Sequence, residues 1–377
     1  MLRWIIGRGK LAAWFLRESF KGTLGMMPGD DLPLWRKFVV FCLACHESRA
    51  IWTSSGGKFP QTLPDAGKRA EFLDGFDHNS RMVIRNAHWH KYAGRFRRDR
   101  GEYVVIGPKP RPLSENAAKR LDEARKRYAL PASARHEESI FCFHHGLWDA
   151  PGEILDHIRG KTFVDLGAYI GDSVLVLMEY DPRRVLSFDI SRRAKRLYEQ
   201  TMKRNHIDAG RREFIAAAVG ARPGRREFRD AGDAGTSLAF PGKDECEVVR
   251  LEDRLGDRET VGFIKADVEG AGIEALSGAM EIIKRDRPVM SLSIYHTPEE
   301  FYHTRRHLEE NVENYAYRVV GLSPNPICEI VLFCWPAELG AGRDWWWEDV
   351  SGWSLPEHSG AEAIARADDA HPTAGQP

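Results

Sequence analysis

The stretch from Phe163 to Ser173 reads FVDLGAYIGDS and decides the fold of this 377-residue chain. Its apolar beginning predicts a β-strand, and Gly167 and Gly171 allow a tight turn into a helix that begins near Asp172. The free amide groups at such a helix start attract ligands, and the glycines let a ligand approach the backbone closely. The stretch therefore predicts a ligand site at a strand–turn–helix junction.

Short apolar runs alternate with helical patterns on both sides of this stretch. The strand signals are Thr162–Leu166, Val185–Phe188, Glu213–Val219, Glu247–Leu251, Gly262–Ala266, Val289–Tyr295, Ala316–Val320 and Ile327–Trp335. The helix signals cover 171–180, 191–205, 270–284 and 298–313. This alternation predicts an α/β fold with a doubly wound, mostly parallel sheet. The last two strands are joined by a Gly/Pro/Asn turn and predict an antiparallel hairpin at the sheet edge.

Charge and composition divide the chain into three regions. Residues 1–160 carry 27 Lys and Arg against 18 Asp and Glu, which leaves 28 against 37 for the rest. We expect a basic, Trp- and Arg-rich accessory region over 1–135, mainly helical, with helices near 9–20 and 34–47 and a charged helix capped by Ser114. The α/β domain then covers 136–336. Residues 337–377 form a Trp-containing tail that we expect to be partly disordered.

The net charge, the lengths of the apolar runs and the number of cysteines exclude several classes of protein. A formal net charge of zero is not that of a uniformly basic nucleic-acid binder, so we expect no nucleic-acid partner. No apolar run is long enough to span a membrane. Six cysteines in so long a chain do not make a disulfide framework, so we expect a cytoplasmic protein. The basic stretch 81–100 could contact phosphate groups or a membrane surface peripherally.

Two acidic residues at strand ends indicate which ligand the glycine turn binds. Asp189 ends the next strand, 22 residues after Gly167, where it could accept hydrogen bonds from ribose hydroxyls. The spacing lacks the G-x-G-x-x-G pattern of a dinucleotide site, and Asp165 would repel a pyrophosphate. An acid there suits the ammonium group of a methionine-like ligand, which favours S-adenosylmethionine over NAD.

A second group of polar residues lies where the later strands end. Asp267 ends one predicted strand, Glu269 opens the following helix, and His296 follows the next strand. Ligands of open α/β sheets bind beyond the carboxyl ends of the strands, so these side chains should face the cofactor's reactive group. A carboxylate and an imidazole there could remove a proton from a hydroxyl group, with His296 or Asp267 as the base.

These motifs resemble the FkbM-type methyltransferases. The similarity lies in VDLGAYIGDS at 164–173, IKADVEG at 264–270 and SLSIYHTP at 291–298, within residues 137–335. It implies a seven-stranded sheet of the class I methyltransferase type and S-adenosylmethionine as the cofactor. Members of this family commonly methylate hydroxyl groups of sugars or natural products.

The resemblance also implies roles for individual residues. The methyl-transfer site would be lined by Asp267 and Glu269, with Asp189 on the ribose and Ala218 facing the adenine. Glu138 and the His144–Gly146 run resemble a family element at the cofactor mouth. The implied cofactor-binding set is Asp165, Gly167, Ala168, Tyr169, Gly171, Asp172, Ser173, Asp189, Ala218 and His145.

The sequence thus predicts an S-adenosylmethionine-dependent O-methyltransferase acting on a small molecule, a sugar or a lipid-linked glycan. This chemistry requires no metal, although Asp267 and Glu269 could hold a hard cation. Two alternatives stay open. One is a ligand-binding or scaffold protein that kept the fold without catalysis, and the other is an NAD-dependent oxidoreductase.

Overall fold

The computed structural model describes residues 113–340 apart from 133, 231–234, 240–241, 257–258 and 326–327. Before residue 113 it describes two short strands and scattered residues between 73 and 87. The predicted helices near 9–20 and 34–47, most of the basic stretch 81–100 and the tail from 341 lie outside the described residues. The proposed domain boundaries stay predictions.

Twelve strands and seven α-helices make up the described part of the chain. The strands are β1 (Arg95–Asp99), β2 (Glu102–Ile106), β3 (Thr162–Leu166), β4 (Val185–Phe188), β5 (Arg212–Ile215), β6 (Ala217–Val219), β7 (Gly224–Phe228), β8 (Asp244–Val249), β9 (Val261–Ala266), β10 (Val289–Ser293), β11 (Tyr315–Gly321) and β12 (Ile330–Pro336). The helices are α1 (Glu115–Arg127), α2 (Glu138–Phe141), α3 (Gly152–Ile158), α4 (Asp172–Leu177), α5 (Arg192–Arg204), α6 (Gly272–Asp286) and α7 (Pro298–Glu309).

Seven strands form the central sheet in the order β11-β12-β10-β9-β3-β4-β5. The five strands from β10 to β5 pair in parallel, whereas β12 pairs antiparallel with both β10 and β11. Strand order reverses at β3, so the carboxyl ends of β3, β4 and β9 open a crevice there. The predicted doubly wound sheet and its antiparallel edge hairpin are confirmed.

Two strand predictions differ from the structure. The signal over 213–219 is two strands, because β5 joins the central sheet and β6 leaves it to pair with β8. The signal over 247–251 is the end of β8, in a separate three-stranded sheet of order β6-β8-β7. Strand β7 was not predicted because its sequence GRREF is polar and four of its five residues are exposed.

The described N-terminal part also holds a feature that the sequence pattern hides. Strand β2 was predicted, and β1 pairs with it antiparallel from Arg95 opposite Ile106 to Asp99 opposite Glu102. Three arginines in the five residues of β1 suppress the usual apolar signal of a strand. Helix α1 begins as predicted, since the Ser114 hydroxyl accepts a hydrogen bond from the Ala117 amide. Among the described helices, none has the length and apolar character needed to cross a lipid bilayer.

Alternating side chains of the central strands build two apolar layers. On one face Val164, Ile264 and Leu292 pack with residues of α6 and α7. On the other face Phe163, Phe263 and neighbouring residues pack with α1, α3, α4 and α5. Because both faces are covered by helices, the sheet's strands are buried along almost their whole length. The polar groups of the sheet that can bind a ligand therefore lie at the strand ends.

A close helix–loop contact holds α6 against this sheet. A Cβ atom placed on Gly278 in α6 would lie 2.4 Å from the carbonyl carbon of Gly220. Only a glycine fits at that approach, so α6 and the loop after β6 meet backbone to backbone. This contact fixes the helix that begins just after the polar residues at the end of β9.

We expect Gly278→Ala to lower the free energy of unfolding by about 1–3 kcal/mol, because the added methyl group overpacks this contact. Gly152→Ala is the matched control, since a Cβ there has no neighbour within 4 Å. Its effect should stay within about 1 kcal/mol. Urea unfolding of both variants measures the difference, and equal stabilities would contradict the role given to Gly278.

Candidate functional site

The glycine turn after β3 and the acidic segment after β9 are joined by their backbones. The Asp267 amide donates a hydrogen bond of 2.9 Å to the Leu166 carbonyl. Gly167 has a φ of +81°, and a Cβ on it would lie 1.8 Å from the Asp267 carbonyl oxygen. Two features therefore exclude any residue other than glycine at position 167: the left-handed backbone conformation and the close Asp267 carbonyl. The predicted cofactor loop and the predicted catalytic residues form one site.

The rest of the glycine turn is fixed by the next strand and helix. The amides of Gly167 and Ala168 both donate to the Phe188 carbonyl, at 2.9 and 3.0 Å. Gly171, with a φ of +80°, packs against α5, where a Cβ would lie 2.7 Å from the Tyr198 ring. Tyr169 also has a positive φ, of 43°. This conformation starts α4 at Asp172, and the Ser173 amide donates a hydrogen bond of 3.1 Å to the Asp172 carboxylate.

The carboxylate of Asp189 is held by backbone amides, one of which belongs to the glycine turn. Its carboxylate accepts hydrogen bonds of 2.8 Å from the amides of Tyr169 and Ser191. Burial raises the pKa of Asp189 to about 6, although the two amides oppose the rise. The carboxylate is thus fixed beside the glycine turn at the end of β4, where ribose hydroxyls are expected.

Asp165 lies in a different environment from the one that the sequence suggested. Its side chain is 0% exposed and its Oδ1 lies 3.0 Å from the Nζ atom of Lys265. Lys265 Nζ also donates a hydrogen bond of 2.6 Å to the Gly167 carbonyl. Burial lowers the pKa of Lys265, but the Asp165 and Asp267 carboxylates raise it more, so the ammonium form persists. The cation facing Asp165 in the structure is that of Lys265, which the sequence reasoning missed.

His145 contacts the start of α4 from the segment before β3. Its Nε2 atom shares a hydrogen bond of 2.9 Å with the Ser173 hydroxyl. Burial lowers the pKa of His145 to about 3, so the ring is neutral. Its φ of +56° and that of His144, +45°, mark a strained turn. The structure therefore brings His145 to the helix that follows the glycine turn, and its place at the cofactor mouth stays a prediction.

Three polar side chains meet beyond the ends of β9 and β10. His296 Nε2 lies 3.2 Å from Asp267 Oδ1 and 3.5 Å from Glu269 Oε1. Its other ring nitrogen, Nδ1, lies 3.5 Å from Glu300 Oε2 in α7. Burial lowers the pKa of His296, but the three carboxylates outweigh it and the net pKa is well above that of an ordinary histidine. The same ring holds the pKa of Asp267 below its usual range despite burial.

Tyr295 and Glu329 extend this cluster and were not predicted. The Tyr295 hydroxyl donates a hydrogen bond of 2.9 Å to Glu329 Oε1, and its ring lies 4.0 Å from the His296 ring, centroid to centroid. Burial and the charge of Asp267 raise the pKa of Glu329 to about 7. Glu329 reaches the site only because Ile294 pairs with Ile330 across the antiparallel strands. No sequence spacing signals that pairing.

Ala218 is the predicted residue that the structure brings least directly to the site. It lies in β6 and packs with the small apolar cluster of Phe228, Leu238 and Val248. The adjoining strand β5 does reach the crevice, since the Asp189 amide donates to the Ile215 carbonyl at 3.2 Å. The contact of Ala218 with an adenine ring stays a prediction.

We expect Lys265→Met to lower the free energy of unfolding by about 3–5 kcal/mol, because the Asp165 carboxylate would stay buried without its cation. The double variant Lys265→Met/Asp165→Asn should regain part of this loss, since the amide carries no charge. Urea unfolding of the two single variants and the double variant gives the coupling energy. A double variant less stable than Lys265→Met alone would contradict this interpretation of the pair.

The comparisons with known proteins agree with the sequence-based resemblance. The family model described as the methyltransferase FkbM domain matches residues 165–319. This range contains the glycine turn, Asp189, Asp267, Glu269 and His296. The match confirms the resemblance predicted from the sequence and S-adenosylmethionine as the cofactor, whereas the domain bounds 136–336 stay a prediction. No curated protein matches the chain.

Several solved structures have a related architecture. A methyltransferase FkbM from Methylobacillus flagellatus is 19% identical over 57% of this chain and 58% of that one, with a TM-score of 0.39. An O-methyltransferase from Bacillus cereus, in complex with SAH, is 12% identical over 60% of this chain and 92% of that one, with a TM-score of 0.35. An rRNA methylase from Streptococcus thermophilus is 13% identical over 53% of this chain and 97% of that one, with a TM-score of 0.35.

The chain thus spans a little over half the length of the Methylobacillus protein. At these TM-scores the fold assignment rests on the strand order of the sheet itself.

Proposed function

We propose that this chain, whose residues 165–319 match the FkbM methyltransferase domain, transfers the methyl group of S-adenosylmethionine to a hydroxyl group of a sugar, glycan or natural product. The observation that carries the proposal is the hydrogen bond between the Asp267 amide and the Leu166 carbonyl. It places the cofactor turn directly beside a cluster of two carboxylates and an imidazole. A methyl donor on the turn would then face groups able to hold an acceptor and take its proton.

The cofactor would lie across the carboxyl ends of β3 and β4. Its methionine end would lie against the glycine turn, whose backbone a ligand can approach closely, and Asp189 would accept hydrogen bonds from its ribose hydroxyls. Since Asp165 already faces Lys265, its part would be to keep Lys265 on the Gly167 carbonyl and so to fix the turn. His145 would support the start of α4 through Ser173.

The transfer forms a carbon–oxygen bond as the carbon–sulfur bond breaks. The electron pair of the broken bond stays on sulfur, which leaves as the neutral thioether S-adenosylhomocysteine. The acceptor oxygen becomes strongly acidic as it is alkylated, so a weak base at the right place is sufficient.

Of the two candidate bases, His296 is held in its protonated form by the surrounding carboxylates, whereas Asp267 is ionised. We therefore assign proton removal to Asp267 and positioning of its carboxylate to His296.

A polar cavity beside the cluster supports a polyhydroxylated acceptor. It measures about 300 Å³ and is bounded by Gly270 and Thr297. Arg226, Glu274, Glu299 and Glu300 supply charged groups to its wall. Such a lining offers hydrogen bonds to hydroxyl groups beside the apolar side chains of Leu238 and Ile273, a combination that suits the polar edge and apolar face of a sugar ring.

Within the described residues, Cys142, Cys246, Cys328 and Cys334 form no disulfide bond. A chain with this cysteine usage suits a reducing compartment, and we propose the cytoplasm as the site of action.

Two other functions are separable by binding and turnover. An NAD-dependent oxidoreductase would bind NAD in the crevice, but the turn lacks the third glycine of the dinucleotide pattern, which disfavours a pyrophosphate there. A scaffold protein would bind S-adenosylmethionine without transferring its methyl group. Titration calorimetry with S-adenosylmethionine, S-adenosylhomocysteine and NAD distinguishes the first alternative, and a transfer assay distinguishes the second.

We expect the affinity for S-adenosylmethionine to fall as the pH falls through 6. Burial raises the pKa of Asp189 to about 6, so this carboxyl gains a proton at a higher pH than an ordinary aspartate and loses the charge that attracts the ribose hydroxyls. The dissociation constant at pH 5 should be about tenfold higher than at pH 8. Asp189→Asn should bind more weakly at pH 8 and lose this pH dependence. If the dissociation constant of Asp189→Asn changed with pH as that of the wild type does, Asp189 would not be the group that binds the ribose.

We expect Asp267→Asn to reduce methyl transfer by about 100-fold or more, because the amide cannot accept the acceptor's proton. Binding of S-adenosylmethionine should change little. The assay follows labelled methyl groups from the cofactor into a panel of glycosides and nucleotide sugars, and a base-stable product identifies a methyl ether. Asp156→Asn, at an exposed ion pair with Arg159, is the matched control. Unchanged turnover in Asp267→Asn would overturn its role.

A further inference from the structure

We propose that Asp267, Glu269 and His296 bind one divalent transition-metal ion at the methyl-transfer position. The chemistry predicted from the sequence requires no metal, although Asp267 and Glu269 could hold a hard cation. The ion-binding step is independent of the proposed function. The consequence for the acceptor rests on that function, because the acceptor hydroxyl would be a further ligand of the ion.

The distances among the three side chains match the edges of a coordination polyhedron. One ligand atom from each residue lies within 4.8 Å of the other two. Donors that are each about 2.1 Å from a metal, at tetrahedral or octahedral angles, lie roughly 3.0–3.4 Å apart. His296 Nε2 lies 3.2 Å from Asp267 Oδ1 and 3.5 Å from Glu269 Oε1. An ion can therefore be placed among these atoms with small side-chain movements.

Two of the three atoms that would bind the ion, Asp267 Oδ1 and His296 Nε2, have no hydrogen-bond partner of good geometry. The same holds for His296 Nδ1, and the His296 side chain is only 2% exposed. Buried polar atoms are nearly always hydrogen-bonded, so three such atoms within one cluster require an explanation. A cation bound between the carboxylates and Nε2 would displace the proton from Nε2 and satisfy the atoms that face it.

Glu300 supplies the outer support that metal-bound histidines commonly have. Its Oε2 lies 3.5 Å from His296 Nδ1, on the side of the ring away from the proposed ion. Its Oε1 accepts a hydrogen bond of 2.8 Å from the Gly272 amide, which fixes the carboxylate at the start of α6. A carboxylate on the second nitrogen selects the tautomer whose Nε2 is free to bind a metal.

The cluster is open on one side. The side chains of Asp267 and Glu269 are 25% and 21% exposed, whereas His296 is buried behind them. Glu269 has a φ of +52°, a conformation that a glutamate rarely adopts. An ion held by three protein ligands would keep free positions toward the crevice. An acceptor hydroxyl bound there would be polarised and oriented beside the methyl group.

The donor set indicates the class of metal. Two carboxylate oxygens and one imidazole nitrogen suit Mn²⁺, Fe²⁺, Co²⁺ or Zn²⁺. Mg²⁺ and Ca²⁺ prefer oxygen ligands alone. We therefore choose Mn²⁺ and Zn²⁺ as probes rather than Mg²⁺.

The test is metal binding by the full chain after dialysis against a chelator. Titration with Mn²⁺, followed by loss of the free-ion signal in electron paramagnetic resonance, should show one ion per chain, and Zn²⁺ should compete for it. His296→Gln and Glu269→Gln should abolish this binding. Glu300→Gln should weaken it by about tenfold or more, because it alters only the outer support. Glu281→Gln, an exposed partner of Lys284 on α6, is the control and should bind Mn²⁺ like the wild type.

Far-UV circular dichroism and melting temperatures identify any variant that fails to fold. If a ligand variant fails to fold, the test rests on Mn²⁺ binding by Glu300→Gln and on Zn²⁺ competition in the wild type. Absence of both Mn²⁺ and Zn²⁺ binding in the wild type overturns the proposal, as does equal binding by His296→Gln. Titration of the same metal-free protein with S-adenosylmethionine tests the proposed function separately. Cofactor binding without metal binding would leave Asp267 as a base and remove only the metal centre.

Discussion

The buried ammonium group of Lys265 is the constraint on which the site depends. It lies 3.0 Å from Asp165 Oδ1 and donates to the Gly167 carbonyl, so one cation in β9 holds both the end of β3 and the turn that follows. A charged pair in so apolar a place is costly unless both partners stay together. The geometry of the glycine turn is therefore coupled to the packing of the two central strands. The same two strands place Asp267 beside the turn, with its amide bonded to Leu166.

The polar groups beyond the strand ends form a second electrostatic unit. Lys265 faces the glycine turn, and the carboxylates of Asp267, Glu269 and Glu300 surround His296 on the proposed acceptor side. Positive charge on the imidazole, or on a metal ion bound by it, offsets the mutual repulsion of these carboxylates. Tyr295 and Glu329 bound the cluster from the antiparallel edge. A hydroxyl acceptor would thus meet a site whose charges are already arranged before it binds.

The elements outside the parallel sheet shape the crevice. The hairpin of β11 and β12 brings Glu329 to the cluster, and the small sheet of β6, β7 and β8 contributes Arg226 to the wall of the neighbouring cavity. The close approach of α6 to Gly220 fixes the position of this helix, which begins at Gly272. In the proposed function, the parallel strands would position the cofactor, and the elements outside them would form the surroundings of the acceptor.

The sequence by itself determined the sheet, its edge hairpin, the glycine turn and the strand-end residues Asp189, Asp267 and His296. It did so because periodicity, glycine positions and strand ends are local properties of the chain. Only the tertiary structure decided that Asp165 faces Lys265, that Glu300 and Glu329 join the site, and that β6 leaves the central sheet for β8. Each of these is a pairing between residues far apart in sequence, and no local pattern encodes which distant group fills a buried position.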